Sequence, residues 1–280
     1  MMENIDHSYK MNKNIKYSIV TVCYNAADCI ENTIKSVINQ SYSNYEYIII
    51  DGGSKDYTIE IIGKYRNGIS VFVSEPDNGI YDAMNKGIMA AKGEWIIFMN
   101  AGDVFYSNDV LEKIAPETLG DQAMIVGDTV VQMDSVIYKI PCKPFYEHLP
   151  LHQDMGWFHQ SSFVRTDLAK RYPFDLTFKL AADYNMVIEL YRRSYSFKQV
   201  DVIIAKYDLN GVSYQKKRQH LFETLMIDYP EKRRINTLKS YWGYFLHVLR
   251  ERTKPIIIKM SPSLTKALRS HTKGRVLINQ

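Results

Sequence analysis

Cysteine is scarce in this chain. Cys23, Cys29 and Cys142 are the only three among 280 residues, an odd number without the paired spacing of a metal site. That excludes a disulfide-stapled scaffold and a zinc-ligand framework, and it points to a reducing compartment. Long apolar runs are also missing. No uncharged stretch of about 18 residues occurs, so no bilayer-spanning helix is expected. Residues 1–16, MMENIDHSYKMNKNIK, lack the apolar centre of a secretory signal. Glycine (14) and proline (9) are too few for a collagen-like or low-complexity chain. The glycine fingerprints of dinucleotide-binding and P-loop enzymes are absent, as is any internal repeat. With 46% hydrophobic and 24% charged residues, what remains is an ordinary globular protein with ample material for a core. These absences predict a soluble, cytoplasmic chain.

The modest net charge of +4 conceals a division. Residues 211–280 hold 15 Lys and Arg against 4 Asp and Glu, leaving 20 and 27 of the chain's 35 and 31 for the remainder. An acidic body joined to a basic tail implies either an anionic partner for the tail, phosphate or lipid, or a solvated helical face.

Between Tyr17 and Met99 strand-like and helix-like segments alternate. Tyr17–Cys23, Tyr45–Ile50, Ile69–Val73 and Glu94–Met99 are apolar runs without period-two alternation, the pattern of strands covered on both faces of a parallel sheet. Helical patterns fall at roughly 27–40, 55–66 and 80–92. In the third, Ile80, Ala83, Met84, Gly87, Ile88 and Ala91 form one stripe, which would leave Tyr81, Asp82, Asn85 and Lys86 on the other side. Such repetition predicts right-handed βαβ units and an α/β fold. Further on, the sequence predicts a helix near 107–115, strands at Met124–Val131, Val136–Ile140, Trp157–Val164 and Phe197–Ala205, and an amphipathic helix at 181–193.

Ligands in open α/β sheets bind beyond the carboxyl ends of the strands. There the chain places Tyr24-Asn25, Asp51-Gly52-Gly53-Ser54-Lys55-Asp56 and Asn100-Ala101-Gly102-Asp103. Asp51 could accept hydrogen bonds from a base edge or a ribose, while Ser54 or Asp56 could serve as a helix cap.

Several stretches together resemble glycosyltransferase family 2, the nucleotide-sugar transferases of the GT-A fold. They are Ser18–Asn25, Ile50–Ser54, Asp77–Gly87, Gly93–Asp103, His159-Gln160 and Ala182-Asp183-Tyr184. The resemblance covers roughly residues 17–205 and is nearest to enzymes of bacterial surface polysaccharides, such as colanic acid and O-antigen transferases. It implies a Rossmann-like, mostly parallel sheet flanked by helices, with residues 17–105 binding the nucleotide sugar and 106–210 the acceptor. It also implies transfer of a sugar from a nucleoside diphosphate to a hydroxyl, usually with inversion, aided by Mg²⁺ or Mn²⁺. A divalent cation neutralises the diphosphate leaving group and takes oxygen ligands, so few protein carboxylates are needed.

On that resemblance, Asp103 is the expected metal ligand, with a helix cap as its plain alternative. Relatives often carry an Asp-any-Asp triplet here, and an ungapped match puts Gly102 at a ligand position. Many relatives also carry two consecutive aspartates where this chain has Asp51-Gly52. Tyr24, Asn25, Asp51, Asp82, Asn85 and His159 are the expected donor contacts, Gln160 lying beside His159. Asp82 with Lys86 could equally be a surface ion pair. Asp183 is the expected base, since an acceptor hydroxyl attacks well only as its proton leaves. Together these residues are expected to converge on one cleft.

The tail, 211–280, interleaves basic clusters with Tyr241, Trp242, Tyr244, Phe245, Leu246 and Leu249. A basic amphipathic helix of this kind suits an anionic membrane interface, which would bring the site to a lipid-linked acceptor on the inner face of the plasma membrane. The same stripe could instead pack on the domain or on a second copy. Nucleic acid is not an expected partner, because no recognised module accompanies the charge. Two other functions compete: a sugar-phosphate nucleotidyltransferase, which would want a Gly- and Arg-rich loop where this chain has Tyr24-Asn25-Ala26-Ala27-Asp28, and a non-catalytic nucleotide-sugar-binding module.

Overall fold

The computed structural model describes residues 15–133, 136–142, 158–208, 216–228 and 276–277. Four parallel strands form its first half: β1 (Tyr17–Cys23), β2 (Tyr45–Asp51), β3 (Val71–Ser74) and β4 (Trp95–Phe98). Their order is β4-β1-β2-β3, and Cys23 pairs with Asp51 at the carboxyl edge. Alternate residues of β1 explain the unbroken apolar run. Ile19 joins the core under α1 (Ile30–Ile38), α2 (Thr58–Lys64) and α4 (Val110–Ile114). Val20 faces the opposite core, under α3 (Ile80–Ala90), α5 (Thr166–Arg171) and α6 (Ala182–Arg192). Both sheet faces are thus covered, as a parallel sheet requires.

The second half continues the sheet with mixed pairing. Strand β5 (Val104–Phe105) pairs antiparallel with β9 (Phe197–Asp208), and β6 (Met124–Met133) pairs antiparallel with β7 (Val136–Ile140) and β8 (Ser162–Arg165). β6 also runs parallel to β9, and β8 joins the halves by pairing antiparallel with β4. A short β10 (Val276–Leu277) lies antiparallel to β7. The α/β class and the helix-flanked sheet hold, and every antiparallel ladder involves a strand of the half after Asp103, the β4–β8 pair included.

Two local expectations need correction. The predicted strand over Trp157–Val164 begins only at Ser162, because His159–Ser161 forms a 3₁₀ turn. Polar residues close it: Ser161 N–H and Ser162 Oγ both donate to the Phe158 carbonyl, at 2.9 and 2.8 Å. The second correction concerns the face of α3. Ile80 is 46% exposed and Tyr81 only 8%. At the first turn the helix overhangs the sheet edge, so its inner side there is lined by Tyr81, while Ala83, Met84, Gly87, Ile88 and Ala91 keep their predicted place.

The sequence assigns 211–280 to a tail. Within it α7 (Lys217–Asp228) packs on the domain: Ile227 lies in the core with α6, and Arg192 Nη2 donates to the Ile227 carbonyl at 2.8 Å. The Trp242, Phe245, Leu246 and Leu249 stripe lies outside the described residues. Among the described residues no helix is long and apolar enough to cross a membrane.

Candidate active site

At the carboxyl edge of β4 the chain turns sharply through Asn100-Ala101-Gly102-Asp103. Asp103 N–H returns to the Asn100 carbonyl at 2.9 Å, and Gly102 stands at φ +100°, a conformation that strains any side-chain-bearing residue. This accounts for the glycine at the position where the family resemblance implies a second carboxylate. Thr33, buried on the inner face of α1, pins the turn. Its hydroxyl donates to the Asp103 carbonyl at 2.8 Å and accepts from Gly102 N–H at 3.0 Å.

Across the cleft, α6 carries Asp183 in its first turn, where the helix dipole favours an anion. Two side chains from distant elements grip its carboxylate. Tyr81 Oη donates to Oδ1 at 2.8 Å, and His159 Nδ1 lies 3.2 Å from Oδ2. An acceptor carboxylate requires the proton on Nδ1. In the neutral ring this leaves His159 Nε2 as acceptor for Asn100 Nδ2, 3.1 Å away. A continuous chain therefore runs Tyr81–Asp183–His159–Asn100 into the turn that bears Asp103.

The electrostatics follow from this packing. Burial pushes the Asp183 carboxyl up, but hydrogen bonding and charge from His159, with the Tyr81 hydroxyl, more than offset it and hold the carboxyl below its ordinary value. For His159, burial favours the neutral ring, whereas Asp183 and the charge of Asp103 raise its pKa, and the net shift is upward. Tyr81 is pushed well above the ordinary phenol value by burial and by Asp183, so it stays a donor.

Asn100 is 7% exposed, and its Oδ1 is buried without a hydrogen-bond partner. An orphaned amide oxygen in the same tight turn as a carboxylate is a fitting pair of hard donors for a divalent cation that also takes phosphate oxygens and water. Among the described residues no cluster of three His, Cys, Asp or Glu side chains offers a closed cage. Gln160, buried beside His159, likewise has an unpartnered Oε1.

The other expected donor contacts divide. Tyr24 stands 63% exposed at the end of β1. Asn25, at φ +47°, bridges two loops: its N–H donates to Ser54 Oγ at 2.8 Å and its Oδ1 accepts Lys55 N–H at 2.8 Å. Asp51 turns inward, with 0% exposure. Its Oδ2 accepts the N–H groups of Gly53 (3.1 Å) and Ser54 (3.0 Å) and the Ser74 hydroxyl (2.7 Å), and its Oδ1 accepts from Ser54 Oγ and Cys23 Sγ. Asp82 Oδ2 accepts Asn78 N–H at 2.9 Å, a cap for α3, and lies 4.0 Å from Lys86, which pairs with Glu75 at 2.8 Å. Asn85 is spent on the Phe174 backbone, donating to its carbonyl and accepting its N–H, both at 2.9 Å. Asp103, His159 and Asp183 thus converge; Asp51 and Asn85 point into the scaffold.

Two contributors were not marked in the sequence. Thr33 could have been found as the one polar residue in the α1 stripe Ile30, Ile34, Val37. Glu223, on α7, is 7% exposed, and its Oε2 accepts three successive N–H groups, from Lys179 (3.0 Å), Leu180 (2.7 Å) and Ala181 (3.1 Å). It fixes the segment that leads into the helix of Asp183.

Comparison with known proteins bears on the family and the fold. Residues 18–175 match the family described as "Glycosyl transferase family 2". An uncharacterised glycosyltransferase of Mycobacterium tuberculosis (strain H37Rv) is 32% identical over 218 residues, spanning 74% of this chain and 80% of that one. The amylovoran biosynthesis glycosyltransferase AmsB of Erwinia amylovora is 26% identical over 213 residues, spanning 70% and 71%. Among solved structures, residues 1–349 of S. aureus TarS in complex with UDP superpose with a TM-score of 0.60 at 18% identity, covering 79% of this chain and 74% of that one. The mannosyltransferase PcManGT of Pyrobaculum calidifontis, in complex with GDP-Man and Mn²⁺, gives 0.60 at 14%, covering 77% and 63%. These structures share the fold. The family match favours glycosyl over nucleotidyl transfer, and on it the chain belongs to glycosyl transferase family 2 and is a glycosyltransferase.

Proposed function

We propose that this glycosyltransferase moves a hexosyl group from a nucleoside-diphosphate sugar to a hydroxyl of a saccharide, in the assembly of a surface polysaccharide, with inversion at the anomeric carbon. The observation that carries this reading is the Asp183 carboxylate, gripped by Tyr81 and His159 and linked through Asn100 to the Asp103 turn. Asp183 takes the proton of the acceptor hydroxyl as its oxygen bonds to the anomeric carbon and the bond to the diphosphate oxygen breaks. A carboxylate held ionised by two donors is ready for that proton at neutral pH. Attack from the side opposite the leaving group inverts the centre.

Asp103 and Asn100 Oδ1 would hold Mg²⁺ or Mn²⁺, which when bound supplies positive charge against the departing diphosphate. The Mn²⁺ in the mannosyltransferase complex supports the choice of cation. Tyr24 and Asn25 face the nucleotide, Asp82 caps α3 at the rim, and Asp51 and Asn85 brace the loops. The basic residues after 211 would bring the enzyme to an anionic membrane face and a lipid-linked acceptor.

The test begins with a panel of nucleotide sugars, scored by thermal stabilisation with Mn²⁺ and then by release of the nucleoside diphosphate. Asp183→Asn should bind the donor as the wild type does and release nothing measurable. Asp103→Ala should lose the cation-dependent part of nucleotide binding. Release at the wild-type rate by Asp183→Asn would reject the base assignment.

A further inference from the structure

One carboxylate at the donor end of the cleft has no role in the account above. It belongs to Asp77, in the loop between β3 and α3. Gly52 is held to the edge of β1 by its N–H to the Cys23 carbonyl, at 2.9 Å. A Cβ at position 52 would collide with Asp77 Oδ2 and lie 3.1 Å from its Cγ and 3.5 Å from Tyr24 Cδ2. The carboxylate of Asp77 and the ring of Tyr24 therefore meet around the space that Gly52 leaves open. Gly79 N–H, donating to Asp77 Oδ1 at 2.8 Å, fixes one oxygen and aims the other over Gly52. Asp51, the neighbouring carboxylate, has both oxygens taken by its own loop and by Cys23 and Ser74 of the adjoining strands, and cannot serve.

An exposed aromatic ring at the carboxyl edge of a parallel sheet is a stacking platform for a flat ligand. A carboxylate oxygen at its side accepts hydrogen bonds and donates none. Resting on the donor-site reading above, we propose that Asp77 reads the base of the donor nucleotide. Its Oδ2 accepts the ring N–H of a base stacked on Tyr24. Uracil, thymine and guanine present such an N–H; cytosine and adenine present a lone pair at that ring position, which repels a carboxylate. The donor is accordingly a uridine, thymidine or guanosine diphosphate sugar. The glycine at position 52 is part of the device, since any side chain there would drive the carboxylate out.

The experiment is calorimetric titration of the full chain with UDP, GDP, CDP and ADP in the presence of Mn²⁺, repeated with Asp77→Asn and Gly52→Ala. In the wild type the better of UDP and GDP should bind at least about ten-fold more tightly than CDP and ADP. Asp77→Asn turns a donor amide toward the base, and the methyl of Gly52→Ala displaces only the far end of a flexible side chain. Both variants should melt near the wild-type temperature and bring the ratio close to one. A wild type without base preference, or a preference intact in both variants, overturns the assignment to Asp77 alone. Binding of none of the four would overturn the donor-site reading and this inference with it.

Discussion

Tyr81→Phe removes one oxygen and little else. The ring stays packed against Phe174, at 5.3 Å between centroids, and Phe174 is itself fixed by both atoms of the Asn85 amide. What disappears is the 2.8 Å hydrogen bond to Asp183 Oδ1, one of two that steady the carboxylate. A hydrogen bond to a buried charge contributes about 1.5–3 kcal/mol, but the Asp183 side chain keeps 19% exposure, so water replaces part of it and about 1 kcal/mol is the appropriate figure. If that stabilisation serves the orientation of the base, nucleoside diphosphate release should slow about five-fold. The pH dependence gives a second, independent readout. The Tyr81 bond favours ionised Asp183 and lowers its pKa, so its loss must move the acid limb of kcat/KM to higher pH. The assay is release of the diphosphate from the donor found by the panel, measured across pH 4–9 for both proteins. An acid limb that stays in place, or a defect confined to KM for the donor, would refute the placement of Asp183 as base with Tyr81 as its support.

Asp51 gives a prediction of stability and its sign with pH. Burial raises its carboxyl, but the Ser54 and Ser74 hydroxyls and the Ser54 amide outweigh that and hold it below the ordinary value. A depressed carboxyl stabilises the fold above the ordinary carboxylate range and loses that stabilisation as pH falls through the folded value. Asp51→Asn should therefore cost on the order of 3 kcal/mol in urea unfolding at pH 7, with the gap narrowing below about pH 4; an equal gap at pH 3 and pH 7 would contradict it. Glu223→Ala strands three N–H groups and should cost about 3 kcal/mol, Glu223→Gln about 1 kcal/mol, both read from denaturant midpoints. A Glu223→Ala midpoint equal to wild type would detach α7 from the role given to it.

The first half of the fold was legible because β1, β2 and β4 are continuous apolar runs between short helices, and such runs have few alternative placements. The second half was not legible in the same way. Whether β6 pairs parallel with β9 and antiparallel with β8 depends on contacts between residues tens of positions apart, which no local period encodes. The 3₁₀ turn at His159–Ser161 was hidden within a predicted strand because its cause is the Ser161 N–H and the Ser162 hydroxyl folding back on the Phe158 carbonyl. Helix α7 was absorbed into a basic tail by its Lys217 and Arg218, although the residues that dock it, Glu223, Thr224 and Ile227, follow helical spacing.

Among the acidic residues the sequence signal was strong but undifferentiated: Asp51, Asp82, Asp103 and Asp183 all stand where a ligand is expected. What separates them is the number of lone pairs each has left. Asp51 accepts from five donors of its own loop and β strands, so it holds the architecture together and has nothing to offer a nucleotide. Asp183 accepts from two donors on separate elements, 102 and 24 positions away, and each of those partners reports on a different wall of the cleft. Asp77 was given no role of its own in the sequence, yet it keeps one oxygen aimed at the opening that Gly52 provides. A carboxylate saturated by its own backbone is scaffold, and one left with an unspent oxygen beside an exposed ring is available for recognition. That distinction lives in the hydrogen-bond inventory, where Gly52, standing in place of an expected aspartate, leaves open the space that the Asp77 carboxylate borders.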